Sequence, residues 1–170
     1  MITRRAVIVF LSIGVVLCGP NLRAQPSPRD ALNSLVSFLE ARKVGRVELI
    51  GIPRDAETIV PLTPEALKKV WDFKITIKQL DLNSRDELLK ELRSTAVSAA
   101  VRPSDGLADV RRGIVFYLME GDTVFLSLFF DGAGTRGYVN AAQVRFEVGF
   151  LERVERALAL SVEPLGKTPR

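Results

Sequence analysis

Apolar side chains recur along the first half of the chain at spacings that predict alternating helices and strands. Over residues 30–39 they follow the period of an amphipathic helix, which Asp30 should cap and Gly45 should stop. Residues 46–52 and 74–79 predict strands. Because apolar and polar residues alternate in the second of these, it should have one face in water.

Two further segments carry the signatures of helix starts. Residues 63–71 begin with Thr63 as a cap and a proline in the first helical position, and Trp71 belongs to the apolar stripe that should enter the core. Ser84 stands three residues before Glu87, which is the spacing of a capping box, so a helix should follow it.

Strands dominate the second half of the chain. Residues 113–119, 123–130 and 137–148 predict three of them, and the first two are apolar at almost every position, so both should lie in mid-sheet. Residues 150–160 predict a closing amphipathic helix. The predicted fold is α+β, a mainly antiparallel sheet packed by about four helices in the rough order α-β-α-β-α-β-β-β-α.

The N-terminus has the layout of a secretory signal peptide. Arg4 and Arg5 precede an apolar run over residues 6–18, and a small residue, Ala24, stands at the proposed cleavage point. The run is shorter than the ~20 apolar residues that a membrane-spanning helix needs. We therefore predict an exported protein, periplasmic or secreted, with residues 1–24 as its signal peptide.

Alternatives for this leader stay open. An uncleaved leader, or a lipid attached to Cys18, would hold the protein at a membrane. The arginine pair does not decide between the general and the twin-arginine export routes. After the leader we expect a flexible lead-in over residues 25–29, a single domain over residues 30–162 and a C-terminal tail over residues 163–170.

The charge balance argues against nucleic-acid binding once the leader is set aside. The full chain has 24 Lys+Arg and 20 Asp+Glu. Three arginines lie before the proposed cleavage point, so 21 bases remain against 20 acids, a net charge of +1. No basic run is longer than a pair such as Lys68-Lys69 or Arg111-Arg112, whereas nonspecific nucleic-acid binding needs an extended basic patch.

The histidine and cysteine counts exclude several chemistries. The chain has no histidine, which removes His general bases, Ser-His-Asp triads and imidazole metal ligands. The one cysteine, Cys18, lies in the leader, so the mature protein should have neither a disulfide nor a thiol nucleophile. We expect no cofactor and no bound metal.

A glycine-rich segment, FFDGAGTRGYVN, resembles a nucleotide-binding turn by its spacing. Gly132, Gly134 and Gly137 form a literal G-x-G-x-x-G. A dinucleotide-binding turn also needs a helix after the third glycine, because the helix amides hold the pyrophosphate. The residues that follow here alternate like a strand, so we interpret the three glycines as a hairpin turn with positive φ.

One surface segment is a candidate binding site. Residues 102–112 predict the longest loop, which ends in Arg111 and Arg112, and their guanidinium groups can hold a carboxylate or a phosphate. The competing interpretation is a solvated loop with local ion pairs.

Together these features favour a small exported protein that binds rather than catalyses, with an unknown protein or a small ligand as its partner. The alternative is a small hydrolase-type enzyme that uses Asp or Glu, Lys or Tyr in place of histidine and cysteine. A pair of acids in a concave pocket would favour the enzyme, whereas an exposed apolar or arginine-bearing patch would favour binding. The sequence identifies neither the ligand nor the oligomeric state.

Overall fold

Seven antiparallel strands form one sheet in the part of the chain that the structure describes. This computed structural model describes residues 26–53, 56, 58, 60–99 and 106–161. Across the sheet the strand order is β2-β1-β4-β5-β6-β7-β3, and every neighbouring pair is antiparallel. The strands are β1 Val44–Gly51, β2 Phe73–Ile77, β3 Ser98–Ala99, β4 Val110–Leu118, β5 Val124–Asp131, β6 Arg136–Val139 and β7 Ala142–Arg145.

Four helices accompany the sheet within these residues. They are α1 Pro28–Glu40, α2 Pro64–Leu67, α3 Leu82–Ser94 and α4 Phe150–Ala159. The α+β class, the antiparallel sheet and the element order are therefore confirmed. β4 and β5, which are apolar at almost every position, lie in the middle of the sheet as predicted.

Some of the predicted segments lie outside the described residues. They are the signal peptide over residues 1–24 with Cys18, the tail over residues 163–170, and residues 102–105 of the predicted loop. In the described part of the chain, none of the helices combines the length and the apolar character needed to cross a bilayer.

The predicted strand over residues 137–148 is wrong as a single element. A tight turn at Asn140 divides it into β6 and β7, and the φ of Asn140 is 53°, in the left-handed region. The side chain of Asn140 accepts a hydrogen bond from the Ser127 N–H at 2.9 Å, and asparagine tolerates this conformation better than most residues do. The adjacent Ala141 and Ala142 interrupt the strand-like alternation here, and asparagine is a common turn residue, so the sequence carried a local sign of the break.

Two predicted helix caps are wrong by one turn. Ser27 caps α1 by accepting from the Asp30 N–H at 3.1 Å, and Asp81 caps α3 by accepting from the Ser84 N–H at 2.8 Å. In each case the residue predicted as the cap is the one whose N–H is capped. Asp81 also has a hydrogen-bond partner outside α3, because the Ser161 hydroxyl donates to its carboxylate at 2.9 Å.

The predicted helix over residues 63–71 is reduced to the single turn of α2. The chain leaves the helix after Leu67, and the Asp72 N–H donates to the Gly51 carbonyl at 2.9 Å as β2 begins. Val70 and Trp71 are therefore exposed, at 54% and 42%. Trp71 is not the core residue that its helical spacing predicted.

The two faces of the sheet carry separate cores. On one face α1, α3 and α4 pack against the sheet, and the predicted inward residues of α4, Leu151, Val154 and Leu158, are buried there. A smaller cluster that includes Leu67 of α2 lies on the opposite face. Its buried members are Ile50, Ile52, Leu67, Val110, Val115 and Phe129.

Trp71→Ala should change the free energy of unfolding by about 0.5 kcal/mol or less, the usual range for surface substitutions. Leu67→Ala in the same segment should cost about 2–5 kcal/mol, because that side chain is fully buried. Urea unfolding followed by circular dichroism measures both variants, since Trp71 is the only tryptophan and its removal takes away the fluorescence signal. Comparable losses in the two variants would contradict the exposed position of Trp71.

Candidate functional site

A groove opens at the end of the sheet where β1 extends beyond β2. β1 pairs with β4 from Val44 onward but with β2 only from Val47, which lies opposite Ile77. After Ile77 the chain bends at Lys78 and Gln79. The space between this bend and the start of β1 has a volume of ≈ 810 Å³.

A second depression, of ≈ 650 Å³, adjoins the first between the end of α1 and the start of α3. Val44, Gln79 and Met119 line both depressions, so the two run together along this end of the sheet. We call the combined surface the strand-end groove.

The floor of the strand-end groove is apolar. Leu39 and Val44 are buried, and Leu80 packs against the main core. Leu82 and Met119 line the groove with 57% and 62% of their surface exposed. Exposed large apolar side chains beside buried ones form a surface that a ligand can dehydrate.

The rim of the groove is basic, with Arg42, Arg46, Lys78 and Arg85 along it. Within the described residues, the charged groups of Arg42 and Lys78 have neither a hydrogen-bond nor an ion-pair partner. Arg85 lies 3.7 Å from a carboxylate oxygen of the exposed Asp86.

Two acids also line the groove, and both are engaged. Hydrogen bonds from the Ser84 N–H and the Ser161 hydroxyl hold the pKa of Asp81 below its ordinary value of 3.8. Asp122, whose side chain is 85% exposed, pairs with Arg46 at 2.9 Å. The uncompensated charge of the groove is therefore positive.

Arg42 has a backbone conformation that usually belongs to glycine. Its φ is 55°, in the left-handed region, which costs a residue with a side chain roughly 1–2 kcal/mol. The N–H groups of Arg42 and Lys43 donate to the carbonyls of Leu39 and Phe38, at 3.1 and 2.9 Å. These bonds form a Schellman motif that ends α1, with an arginine at the position where glycine is most common.

Gly45 does not stop α1, contrary to prediction. It lies in β1, where a Cβ would come within 2.6 Å of the Met119 Cα. The missing side chain lets β1 and β4 approach each other at the irregularity between Val44 and Arg46. Gly45 therefore shapes the floor of the groove and not the end of the helix.

Next to the groove, Glu48 is buried on the sheet face that carries α2. Its carboxylate accepts hydrogen bonds from the Tyr117 hydroxyl at 2.8 Å and from Lys74 Nζ at 2.9 Å, and Arg46 Nε lies 3.5 Å away. Desolvation by burial raises the pKa of Glu48, but the contacts with Lys74, Tyr117 and Arg46 outweigh it and hold this pKa below 4.5. Burial, and then the hydrogen bond to Glu48, raise the pKa of Tyr117 above 10.0.

This cluster contains the residue types that an enzyme without histidine would use. Both pKa values, however, move away from neutral pH, so Glu48 is a weak base and Tyr117 a weak acid at the pH where proton transfer would be needed. Every charged group in the cluster also has an opposite charge nearby. The arrangement supports a structural ion-pair network better than a catalytic one.

The structure gives both predicted binding arginines internal partners. Arg111 is buried, and its guanidinium donates to Asp109 Oδ2 at 2.5 Å and to the Ala56 carbonyl at 2.6 Å. The Arg112 guanidinium stacks on Phe73, with its carbon 4.9 Å from the ring centre. Both arginines lie in β4 and not in the loop that we predicted over residues 102–112, and a binding role for them stays a prediction.

The glycines of the G-x-G-x-x-G segment lie around the connection between β5 and β6. Only Gly134 of the three has a positive φ, 72°, contrary to what we expected for Gly132 and Gly137. Gly137 belongs to β6, where a Cβ would lie 1.7 Å from the Phe129 carbonyl oxygen. Its lack of a side chain is required by close contact with β5 and not by the turn.

The amides of this connection already hold a carboxylate of the chain itself. Asp131 Oδ1 accepts from the N–H groups of Thr135 and Arg136, at 3.0 and 3.2 Å. The Asp131 carbonyl accepts from the Gly134 N–H at 3.0 Å. A phosphate bound by these amides would have to displace the carboxylate, and the segment leads into β6 and not into a helix.

Similarity to other proteins does not point to an activity. The sequence matches no family model, and no curated protein and no solved structure is significantly similar to it. In the part of the chain that the structure describes, no group of three or more His, Cys, Asp or Glu side chains is placed to hold a metal ion.

The groove residues were not among those predicted from the sequence. Arg42 follows α1, Lys78 follows β2 and Arg85 lies in the first turn of α3, so the three are far apart in the sequence or on different elements. One local signal for Arg42 existed. Gly45 lies too far beyond Leu39, the last buried position of α1, to close that helix, so an earlier residue had to close it.

Glu48→Gln should remove a component of stability that depends on pH. Because folding lowers the pKa of Glu48, this component is fully present above pH 4.5 and is lost as the pH falls through the lower folded value. Near neutral pH we expect the variant to be less stable by about 1–3 kcal/mol, since a charged hydrogen-bond acceptor is lost. Thermal unfolding across the acid range measures this difference, which should shrink toward low pH.

Tyr117→Phe is the matched control. Folding raises the pKa of Tyr117, so its contribution is present below pH 10.0 and is lost as the pH rises through the higher folded value. In this variant the stability should no longer change with pH in the alkaline range, and most of its dependence on pH in the acid range should remain. If Glu48→Gln leaves the acid part unchanged, the ion-pair network is not a source of stability.

Proposed function

We propose that this protein is an exported binding module that holds an anionic ligand in the strand-end groove. Arg42 carries the proposal. Its guanidinium is exposed and has no partner among the described residues, and its backbone is left-handed, a conformation that glycine would adopt without strain. Strained residues of this kind concentrate at functional sites.

The rim and the floor of the groove together define a class of ligand. Guanidinium groups hold carboxylate or phosphate oxygens through two parallel hydrogen bonds, and Lys78, which also lacks a partner in the described part of the chain, adds a second positive charge along the same groove. Below them Leu82 and Met119 offer exposed apolar contact. A ligand with both negative and apolar groups matches both features.

Binding without catalysis is supported by the titratable groups at the groove. Asp81 and Asp122 already have partners, and the Glu48–Tyr117 pair has pKa values that move away from neutral pH. An arginine-bearing surface with an apolar floor is the feature that distinguishes a binding module from a hydrolase that depends on paired acids.

Export is supported by the signal-peptide pattern over residues 1–24. We expect the mature protein to begin at Gln25, and mass spectrometry of its N-terminus measures this. A lipid on Cys18 or a retained Met1 would instead place the protein at a membrane.

Arg42→Gly separates binding from folding. It removes the guanidinium and relieves the left-handed strain, so stability should stay the same or rise by up to about 1 kcal/mol. Affinity for hexaglutamate, a simple anionic probe, should fall about tenfold or more, because an exposed guanidinium at the rim of the groove is lost. Thermal unfolding measures the first quantity and calorimetric titration at low ionic strength the second.

Arg156→Gln is the matched control for charge. Arg156 is exposed, lies on α4 outside the groove, and loses the same single positive charge. This variant should bind hexaglutamate as the unchanged protein does, and amide NMR shifts should map the probe to residues 42–46 and 78–83. Equal weakening in the two variants would mean that hexaglutamate senses only net charge.

A further inference from the structure

We infer that the ligand of the strand-end groove is an extended acidic polypeptide segment that adds to the open edge of β1. This inference rests on the proposed function and names the ligand class of the same groove. Three observations lead to it: a stretch of strand edge, an apolar floor and a basic rim, all on one surface.

The strand edge comes from the different lengths of β1 and β2. Val44 and Arg46 of β1 pair with β4, with Gly45 at the irregularity between them, but β2 ends at Ile77, opposite Val47. On that side no described strand pairs with Val44–Arg46, and all three residues line the groove. Unpaired strand edges bind extended peptides by main-chain hydrogen bonds.

The floor and the rim match the two kinds of side chain in such a peptide. Apolar side chains of the peptide can rest on Val44, Leu118 and Met119, which line the groove beside the open edge. Acidic side chains can meet Arg42 and Lys78, which line the two depressions of the groove and have no charge partner among the described residues.

An anionic lipid surface is the main competitor, because it also combines negative and apolar groups. A lipid would use the rim and the floor but would leave the main-chain groups of Val44–Arg46 without a partner. A polypeptide uses all three features, so the observations favour it.

Fluorescence anisotropy with a labelled Ac-(Glu-Val)₃-NH₂ peptide tests the inference on the protein purified after expression with its own leader. The peptide should bind about tenfold or more tightly than hexaglutamate, because it adds apolar contacts and a strand-forming backbone. N-methylation of its alternate amides removes hydrogen-bond donors but keeps every charge and side chain. This change should abolish the gain in affinity if the peptide pairs with β1.

Two variants separate the floor from the rim. Met119→Gln changes an exposed side chain, so it should weaken binding of Ac-(Glu-Val)₃-NH₂ and leave hexaglutamate binding unchanged. Arg42→Gly should weaken binding of both probes. Arg156→Gln should weaken neither.

The outcomes distinguish this inference from the proposed function. Equal affinity for the methylated and the unmodified peptide would overturn pairing with β1 and leave the anion-binding groove intact. Binding of phosphatidylglycerol vesicles but of neither peptide would replace the polypeptide by a lipid surface. If no anionic probe shifts the amide signals of groove residues, the proposed function itself fails.

Discussion

The unequal overlap of β1 with its two neighbours is the constraint on which the core and the groove both depend. β1 pairs with β4 from Val44 to Gly51, and this register turns Val47 and Leu49 toward the three helices and Glu48 toward the opposite face. The overlap with β2 is shorter and leaves Val44–Arg46 open at the end of the sheet. A slip of one residue would exchange the two faces of β1, so the core and the groove cannot change independently.

Charged groups in this fold fall into two sets with different physical status. Glu48, Arg111 and Asp131 are buried and have hydrogen-bond partners within the chain, as desolvated charge requires. Arg42 and Lys78 are exposed and have no partner among the described residues. Water solvates these two charges, so they stay available to a ligand at little cost in stability.

Arg42 shows where stability and binding oppose each other. The Schellman motif at the end of α1 would be less strained with glycine, and every hydrogen bond of the motif involves only the backbone. The arginine side chain therefore contributes nothing to that motif, while it adds charge to the rim of the groove. Gly45 is the opposite case, because its small size is needed for the packing of β1 against Met119 and it adds no side chain to the groove.

The sequence by itself determined what local patterns report. Apolar residues on both faces placed β4 and β5 in mid-sheet, helical spacing identified the buried side of α4, and composition excluded histidine chemistry and confined cysteine to position 18. Only the tertiary structure decided that Trp71 is exposed, that the chain turns at Asn140 and that Arg42, Lys78 and Arg85 line one groove. The physical reason is that periodicity reports which side of one element is buried, whereas a groove forms where neighbouring elements end. Those ends are set by hydrogen bonds and packing between residues far apart in the chain.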